Sequence, residues 1–172
     1  ENSLYKLFKM QKIKIIKIEK INYMSGSLRI FAKKSFIRIK NKKARILGLN
    51  KITKFEKNIK IIKKEINDFI KSMKKQNKIV AGVGAATKGN TLLNYCNLTS
   101  KNIDFILDRS KLKIGKYTPG SSIKIVDENQ YKNFQALIIL PWNISKYLIK
   151  KFVKKTHKPY ISVQNIVTKL KK

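Results

Sequence analysis

Residues 78–96, KIVAGVGAATKGNTLLNYC, pass from a short apolar run through a glycine-rich turn into a helical pattern. KIVAGVG (78–84) reads as a strand and NTLLNYC (90–96) as a helix, so the stretch is a strand–turn–helix unit. The same rhythm continues downstream. IDFILD (103–108) and QALIILP (135–141) read as strands, with a loop rich in Gly, Pro and Ser running through GKYTPGSS (115–122) between them. NISKYLIKKFVKK (143–155) then reads as a helix and PYISV (159–163) as a last strand. Strands alternating with short helices predict a mostly parallel sheet with crossover helices, a Rossmann-like three-layer α/β domain. Ligands of such sheets lie outside the carboxyl ends of the strands.

Upstream of this unit, Ile52, Phe55, Ile59, Ile62, Ile66, Phe69 and Met73 recur every three or four residues and predict one long helix. Thr53 with Glu56 fits a capping box at its start. The apolar stripe reads first as core packing and second as a face for a partner or a coiled coil. KNKKAR (40–45) is a charge run with nothing to bury and suggests a linker over 40–50. Before it, Leu4, Leu7 and Phe8 have helical spacing. IKIIKIEKIN alternates apolar and lysine over 13–18, and SLRIFAKKSFIRIK (27–40) alternates again, with Met24, Ser25 and Gly26 as turn material between them. The expected organisation is a helix and antiparallel hairpin over 1–39, the linker, and the three-layer domain over 51–172.

A chain of 172 residues is long enough for one domain with a proper core, or for one domain and a piece of another. It begins at Glu1 rather than Met, which reads as a cut or processed start. Its net charge of +32 arises from 41 basic against 9 acidic residues. Only Arg29, Arg38, Arg45 and Arg109 are arginines, whereas lysine, isoleucine and asparagine are abundant together, as A/T-biased codons would produce. Readers of nucleic acid usually favour the bidentate arginine fork, so the charge reads mainly as solvated faces that bind nucleic acid non-specifically at low salt. Cys96 is the single cysteine and His157 the single histidine, which excludes an internal disulfide and argues against a metal cluster. No apolar run reaches the roughly 18 residues of a membrane span. The chain therefore reads as soluble, cytoplasmic and without a membrane partner.

Three strand ends carry unusual residues. In AGVGAATKGN (81–90), backbone N–H groups and a helix start near Asn90 could face an anion, with Lys88 as a mobile positive charge. As a dinucleotide fingerprint, Gly82 and Gly84 fit, but the third small position falls on Thr87. As a P-loop, Gly84 and Gly89 fit, but Asn90 replaces the required lysine. A tight turn that needs glycine for geometry alone is the competing reading. In ILDRS (106–110), Asp108 could bind ribose hydroxyls and Arg109 could clamp phosphate, or the two could form a surface ion pair. In ILPWN (139–143), Asn143 is a natural N-cap, and Trp142 could stack on a base or sugar or be buried between layers.

Taken together, the series at 82–96, D-F-I-L-D-R-S at 104–110, G-K-Y-T-P-G at 115–120 and L-I-I-L-P-W-N at 137–143 resembles the C-terminal domain of the sugar C-methyltransferase family. G-S-L-R-I-F-A at 26–32 resembles the G-G-S-L-R segment that closes the family's central S-adenosylmethionine-dependent methyltransferase domain, with Ser25 in place of one glycine. The resemblance implies a zinc-binding N-terminal region, a central domain and a Rossmann-like C-terminal domain. The first is expected to be missing here, together with its zinc. Of the second, the helix and hairpin are expected to be a remnant of a class I methyltransferase sheet, lacking the adenosylmethionine loop and the Tyr/His/Glu base. The resemblance thus assigns no catalytic residue and implies that this fragment alone neither binds S-adenosylmethionine nor methylates.

In the family, a nucleotide-linked keto-deoxysugar loses a proton beside its carbonyl and takes a methyl group. The C-terminal domain is expected to face the central domain and hold the nucleotide sugar. Carried over by position, the substrate-binding candidates are Gly82, Gly84, Lys88, Gly89 and Asn90, with Asp108, Arg109, Tyr117, Trp142 and Asn143 around them. Two other readings are a stand-alone nucleotide-binding module and a basic nucleic-acid-binding protein.

Overall fold

The structure is a computed structural model that describes residues 2–23, 26–35, 49–154 and 157–170. It divides into two compact units, Glu1–Thr53 and Lys54–Lys172.

The first unit contains helix α1 (Asn2–Met10) and strands β1 (Ile13–Ile21) and β2 (Ser27–Lys34). The strands pair antiparallel from Ile13 opposite Lys34 to Ile21 opposite Ser27, with a register shift between Ile15 and Lys17. The expected helix and hairpin are therefore present, and β1 runs three residues beyond Ile18. The turn residues Met24 and Ser25, the tail of the second strand beyond Ser35 and the 40–48 stretch of the expected linker lie outside the described residues. None of the described residues in this unit is buried. A two-stranded sheet without a covered face is marginal in water.

Helix α2 (Leu49–Lys75) takes in the last two residues of the expected linker. Thr53 and Glu56 consequently lie inside it and do not cap it. The apolar stripe packs only along its later half, where Ile66, Ile70 and Met73 are buried, while Ile52 and Phe55 are 52% and 65% exposed. Core packing explains the second half of the stripe and not the first.

The sheet of the second unit comprises β3 (Val80–Val83), β4 (Phe105–Asp108), β5 (Ile125–Asp127), β6 (Ala136–Ile139) and β7 (Tyr160–Ser162). Their spatial order is β5-β4-β3-β6-β7, and all four pairings are parallel. Helices α3 (Thr87–Tyr95), α4 (Ser145–Phe152) and α5 (Val163–Lys169) complete the unit, with a 3-10 turn over Trp142–Ile144. Strand residues alternate between faces as a pleat requires. Ile106 and Ile138 pack with Ile66 and Ile70 of α2, Leu92 and Leu93 of α3 and Ile166 of α5. Leu107, Leu137 and Ile139 pack on the opposite side with Leu148 of α4 and Val153. Both faces are covered, as parallel sheets require, and the predicted three-layer α/β architecture is present. Among the described residues no helix is long and apolar enough to cross a membrane.

Two elements go beyond the sequence reading. β5 is an edge strand of three residues, too short to show a period. The last strand ends at Ser162, whose hydroxyl oxygen accepts from the backbone N–H of Asn165 at 3.2 Å and starts α5. Two expected helix starts move. α3 begins at Thr87 rather than near Asn90, so Lys88, Gly89 and Asn90 belong to its first turn. α4 begins at Ser145, which places Asn143 within the 3-10 turn instead of at the helix N-cap.

Candidate functional site

The chain order reverses between β3 and β6, where a doubly wound sheet opens the crevice that accepts a dinucleotide. Here that crevice is filled from within. Gly84 has φ +84°, and a Cβ on it would lie 2.6 Å from Cγ of Pro141. A Cβ on Gly89 would lie 2.7 Å from Cβ of Leu140. Gly82 is buried in β3, with the side chain of Ile106 3.0 Å from where its Cβ would be. All three glycines thus allow β3 and α3 to close onto β4 and the end of β6. Lys88 does not line the cavity described below, and its Nζ lies 5.8 Å from the centre of the Trp142 ring. Trp142 is half-buried against the core.

Asp108 ends β4, and its carboxylate is engaged by the protein itself. Oδ2 accepts from the N–H of Ala85 and Oδ1 from that of Ser110, both at 2.8 Å. Lys113 approaches Oδ2 at 3.7 Å and donates to the carbonyl of Ala85 at 2.8 Å. Asp108 therefore braces two connections of the chain. Its neighbour Arg109 is exposed.

The brace frames a cavity of about 310 Å³ on the β4–β5 side of the crevice. One wall is the β3–α3 connection, with Ala85, Ala86, Thr87 and Asn90; the other is the loop 109–124, with Lys113, Lys116, Tyr117, Thr118 and Pro119. Leu93, Ile106, Ile125 and Leu140 form an apolar floor. The loop is held internally by Thr118, whose hydroxyl meets that of Ser121 at 2.6 Å and accepts from the N–H of Ile123 at 3.0 Å. It is held to α3 by Asn94, whose Nδ2 donates to the carbonyls of Pro119 at 3.0 Å and Asn90 at 2.9 Å. Gly120, at φ +75°, lacks the Cβ that would collide with Oδ1 of Asn94.

Within the cavity wall, Oδ1 of Asn90 is buried and has no hydrogen-bond partner. Of the ten residues singled out from sequence, Asn90 and Tyr117 line the cavity, and Asp108 acts through Ala85 and Lys113. Gly82, Gly84, Lys88, Gly89, Arg109, Trp142 and Asn143 do not line it. Thr87, Lys113, Lys116, Thr118 and Pro119 went unassigned. Lys113 and Lys116 flank Gly115 in a turn, a usable signal that abundant lysine elsewhere obscures.

The glycine loop does not fit S-adenosylmethionine or a dinucleotide, because Leu140 and Pro141 occupy its concave side and the acid at the end of β4 is engaged. Zinc has no fit either, since no group of three or more His, Cys, Asp or Glu side chains gathers among the described residues. The buried thiol of Cys96 is pushed up to about 11 by its burial, which removes it as a nucleophile at neutral pH.

Residues 23–158 match the family model of the C-methyltransferase C-terminal domain. The chain is 34% identical over 90 residues to the C-methyltransferase NovU of Streptomyces niveus, a match that spans 51% of this chain and 21% of that protein.

Proposed function

As this chain belongs to the C-methyltransferase C-terminal domain family, we propose that it is the substrate-holding part of an S-adenosylmethionine-dependent C-methyltransferase acting on a nucleotide-linked keto-deoxysugar. The observation that carries this reading is the cavity at the carboxyl edge of the sheet, where Lys113 and Lys116 stand over an apolar floor. A diphosphate brings negative charge to those two cations, and the loop 109–124 that carries them is tied to α3 by the bond from Asn94 to Pro119.

S-adenosylmethionine would supply the methyl group from a central methyltransferase domain, the partner of this unit in the whole enzyme. Removing a proton beside the sugar carbonyl needs a base within hydrogen-bond reach. No lining residue is a carboxylate or an imidazole. The cavity residues accordingly bind and orient substrate, and by itself this chain is inactive. The enzyme works in the cytoplasm, and its basic surface binds nucleic acid only non-specifically.

Titration calorimetry with a dTDP-linked keto-deoxysugar tests the reading. The native chain should bind it, and Lys116→Ala should weaken binding at least tenfold. Unchanged affinity in Lys116→Ala would remove the cavity from the function. NAD titrated in parallel separates the stand-alone nucleotide-binder, since a filled crevice predicts no tight NAD binding.

A further inference from the structure

We infer that the outer edge of β7, with the groove beside it, docks an extended acidic segment of another protein, whose apolar centre adds to the sheet as a further strand. β5 and β7 are the two outer strands of the sheet, and the chain treats them differently. The outer side of β5 is closed by the loop 109–124: the N–H of Ile125 donates to the carbonyl of Lys116 at 2.8 Å, and its carbonyl accepts from the N–H of Gly115 at 2.9 Å. β7 has no such cover among the described residues. The N–H of Leu137 in β6 donates to the carbonyl of Pro159 at 3.0 Å. That register turns the backbone groups of Ile161 towards β6 and leaves those of Tyr160 and the N–H of Ser162 on the outer side. An exposed row of such groups is a template for a strand from another chain.

A groove of about 700 Å³ opens at the start of β7, at the amino ends of the strands and so at the opposite end of the sheet from the cavity. Its floor draws on both layers, since Ile149 and Tyr160 pack with the α4 side of the sheet and Phe69 with the α2 side. An added strand turns alternate side chains to those two faces. The rim is basic, with Lys154, His157 and Lys158. Among the described residues no carboxylate pairs with these three, whereas Lys151 of α4 is held by Glu128. The Nζ of Lys158 lies 3.8 Å from the centre of the Phe134 ring, and burial lowers its pKa. A carboxylate brought there would favour the charged form again. These features select the occupant. A second copy would bring another +32 charges to a basic edge. A small anion leaves the backbone row unpaired, and a nucleic acid has no matching row of N–H and C=O groups. An acidic peptide strand meets the edge, the floor and the rim together.

The probe is a labelled peptide, EEVIVEE, titrated into the full chain by fluorescence anisotropy at about 0.15 M salt, where exposed charges are largely screened. It should bind at least tenfold more tightly than heptaglutamate, and at least tenfold more tightly than the same peptide N-methylated at its three apolar residues, which cannot donate to Tyr160. Lys154→Glu with His157→Glu, both at exposed positions, should weaken it at least tenfold. Lys54→Glu with Lys57→Glu, on the exposed start of α2, lowers the net charge further and should change the affinity less than twofold. Absence of binding by the native chain would overturn the inference. Equal affinity for heptaglutamate would do so by reducing the edge to a polyelectrolyte surface, and undiminished binding of the N-methylated peptide by excluding strand addition. Equal weakening by the two double variants would overturn it as well, as would tighter binding of oligo(dT) than of the peptide, or a concentration-dependent dimer in sedimentation that the peptide dissociates.

Discussion

The two walls of the cavity differ in how their sequences relate to their work. The β3–α3 connection carries Gly82, Gly84, Gly89 and Lys88, yet its glycines face Ile106, Leu140 and Pro141 and its lysine leans over Trp142. The loop 109–124 looks like an ordinary turn, yet it supplies Lys113, Lys116 and Tyr117 to the cavity. A missing Cβ marks close approach of backbone to something. Whether that is a ligand or the protein depends on what the neighbouring strand end contributes, and here β6 contributes Leu140 and Pro141.

The sharpest way to break this contrast is Gly84→Ala. A non-glycine residue held at positive φ costs about 1–2 kcal/mol, and crowding against Pro141 adds about 1–3 kcal/mol, so we expect urea denaturation to show a loss of about 3 kcal/mol. Pro141→Ala on that background should return the crowding part and leave the backbone part. A Gly84→Ala protein of native stability with weakened nucleotide binding would mean that this wall serves ligand after all.

Asp108→Asn comes next. The carboxylate joins the walls by accepting from Ala85 on one and Ser110 on the other, with Lys113 beside it. Asparagine keeps one acceptor and loses the charge, so a backbone N–H is left poorly paired, at about 2 kcal/mol. Because the brace also fixes Lys113, nucleotide-sugar affinity should fall together with stability. If affinity falls with stability intact, Asp108 touches ligand and the brace reading is wrong.

The layered fold was legible because its evidence is periodic: KIVAGVG, IDFILD and ALIIL are apolar runs of strand length between helical stretches. β5 and α5 were not, since three and seven residues are too few to establish a period. The long helix was legible in its spacing but not in its burial, because periodicity shows which face is apolar and not what covers it. Of the residues singled out from sequence, Asn90 and Tyr117 line the cavity. Gly82, Gly84 and Gly89 meet protein neighbours that are far away in sequence, which no local pattern reveals, and Lys113 and Lys116 were passed over because they are chemically identical to dozens of other lysines.

Asn94 probes how the second wall is held. Its Nδ2 bonds to the carbonyls of Pro119 and Asn90 both reach water readily once broken, so Asn94→Ala should lower stability by only about 1 kcal/mol. The loop it releases carries Lys113, Lys116 and Tyr117, so affinity for the nucleotide sugar should fall severalfold, out of proportion to the small stability change. Gly120→Ala displaces the same side chain, and the double variant should therefore show less than the sum of the two effects. Strict additivity would separate Gly120 from Asn94 and leave the latch without support.

The smallest effect belongs to Cys96, one residue beyond α3, and appears only in alkali. Burial raises its thiol from an ordinary value near 9 to about 11, against a weaker opposite pull from Lys63. The folded state holds the thiol protonated, so the contribution is fully present below pH 9 and is lost as pH rises from 9 towards 11. Unfolding free energy measured across that window should fall less steeply in Cys96→Ala than in the native chain, while at pH 7 both proteins should bind the nucleotide sugar equally. A binding difference at pH 7 would mean that the core behind α3 sets the position of Asn90. Equal slopes would mean that the thiol meets water in the folded protein.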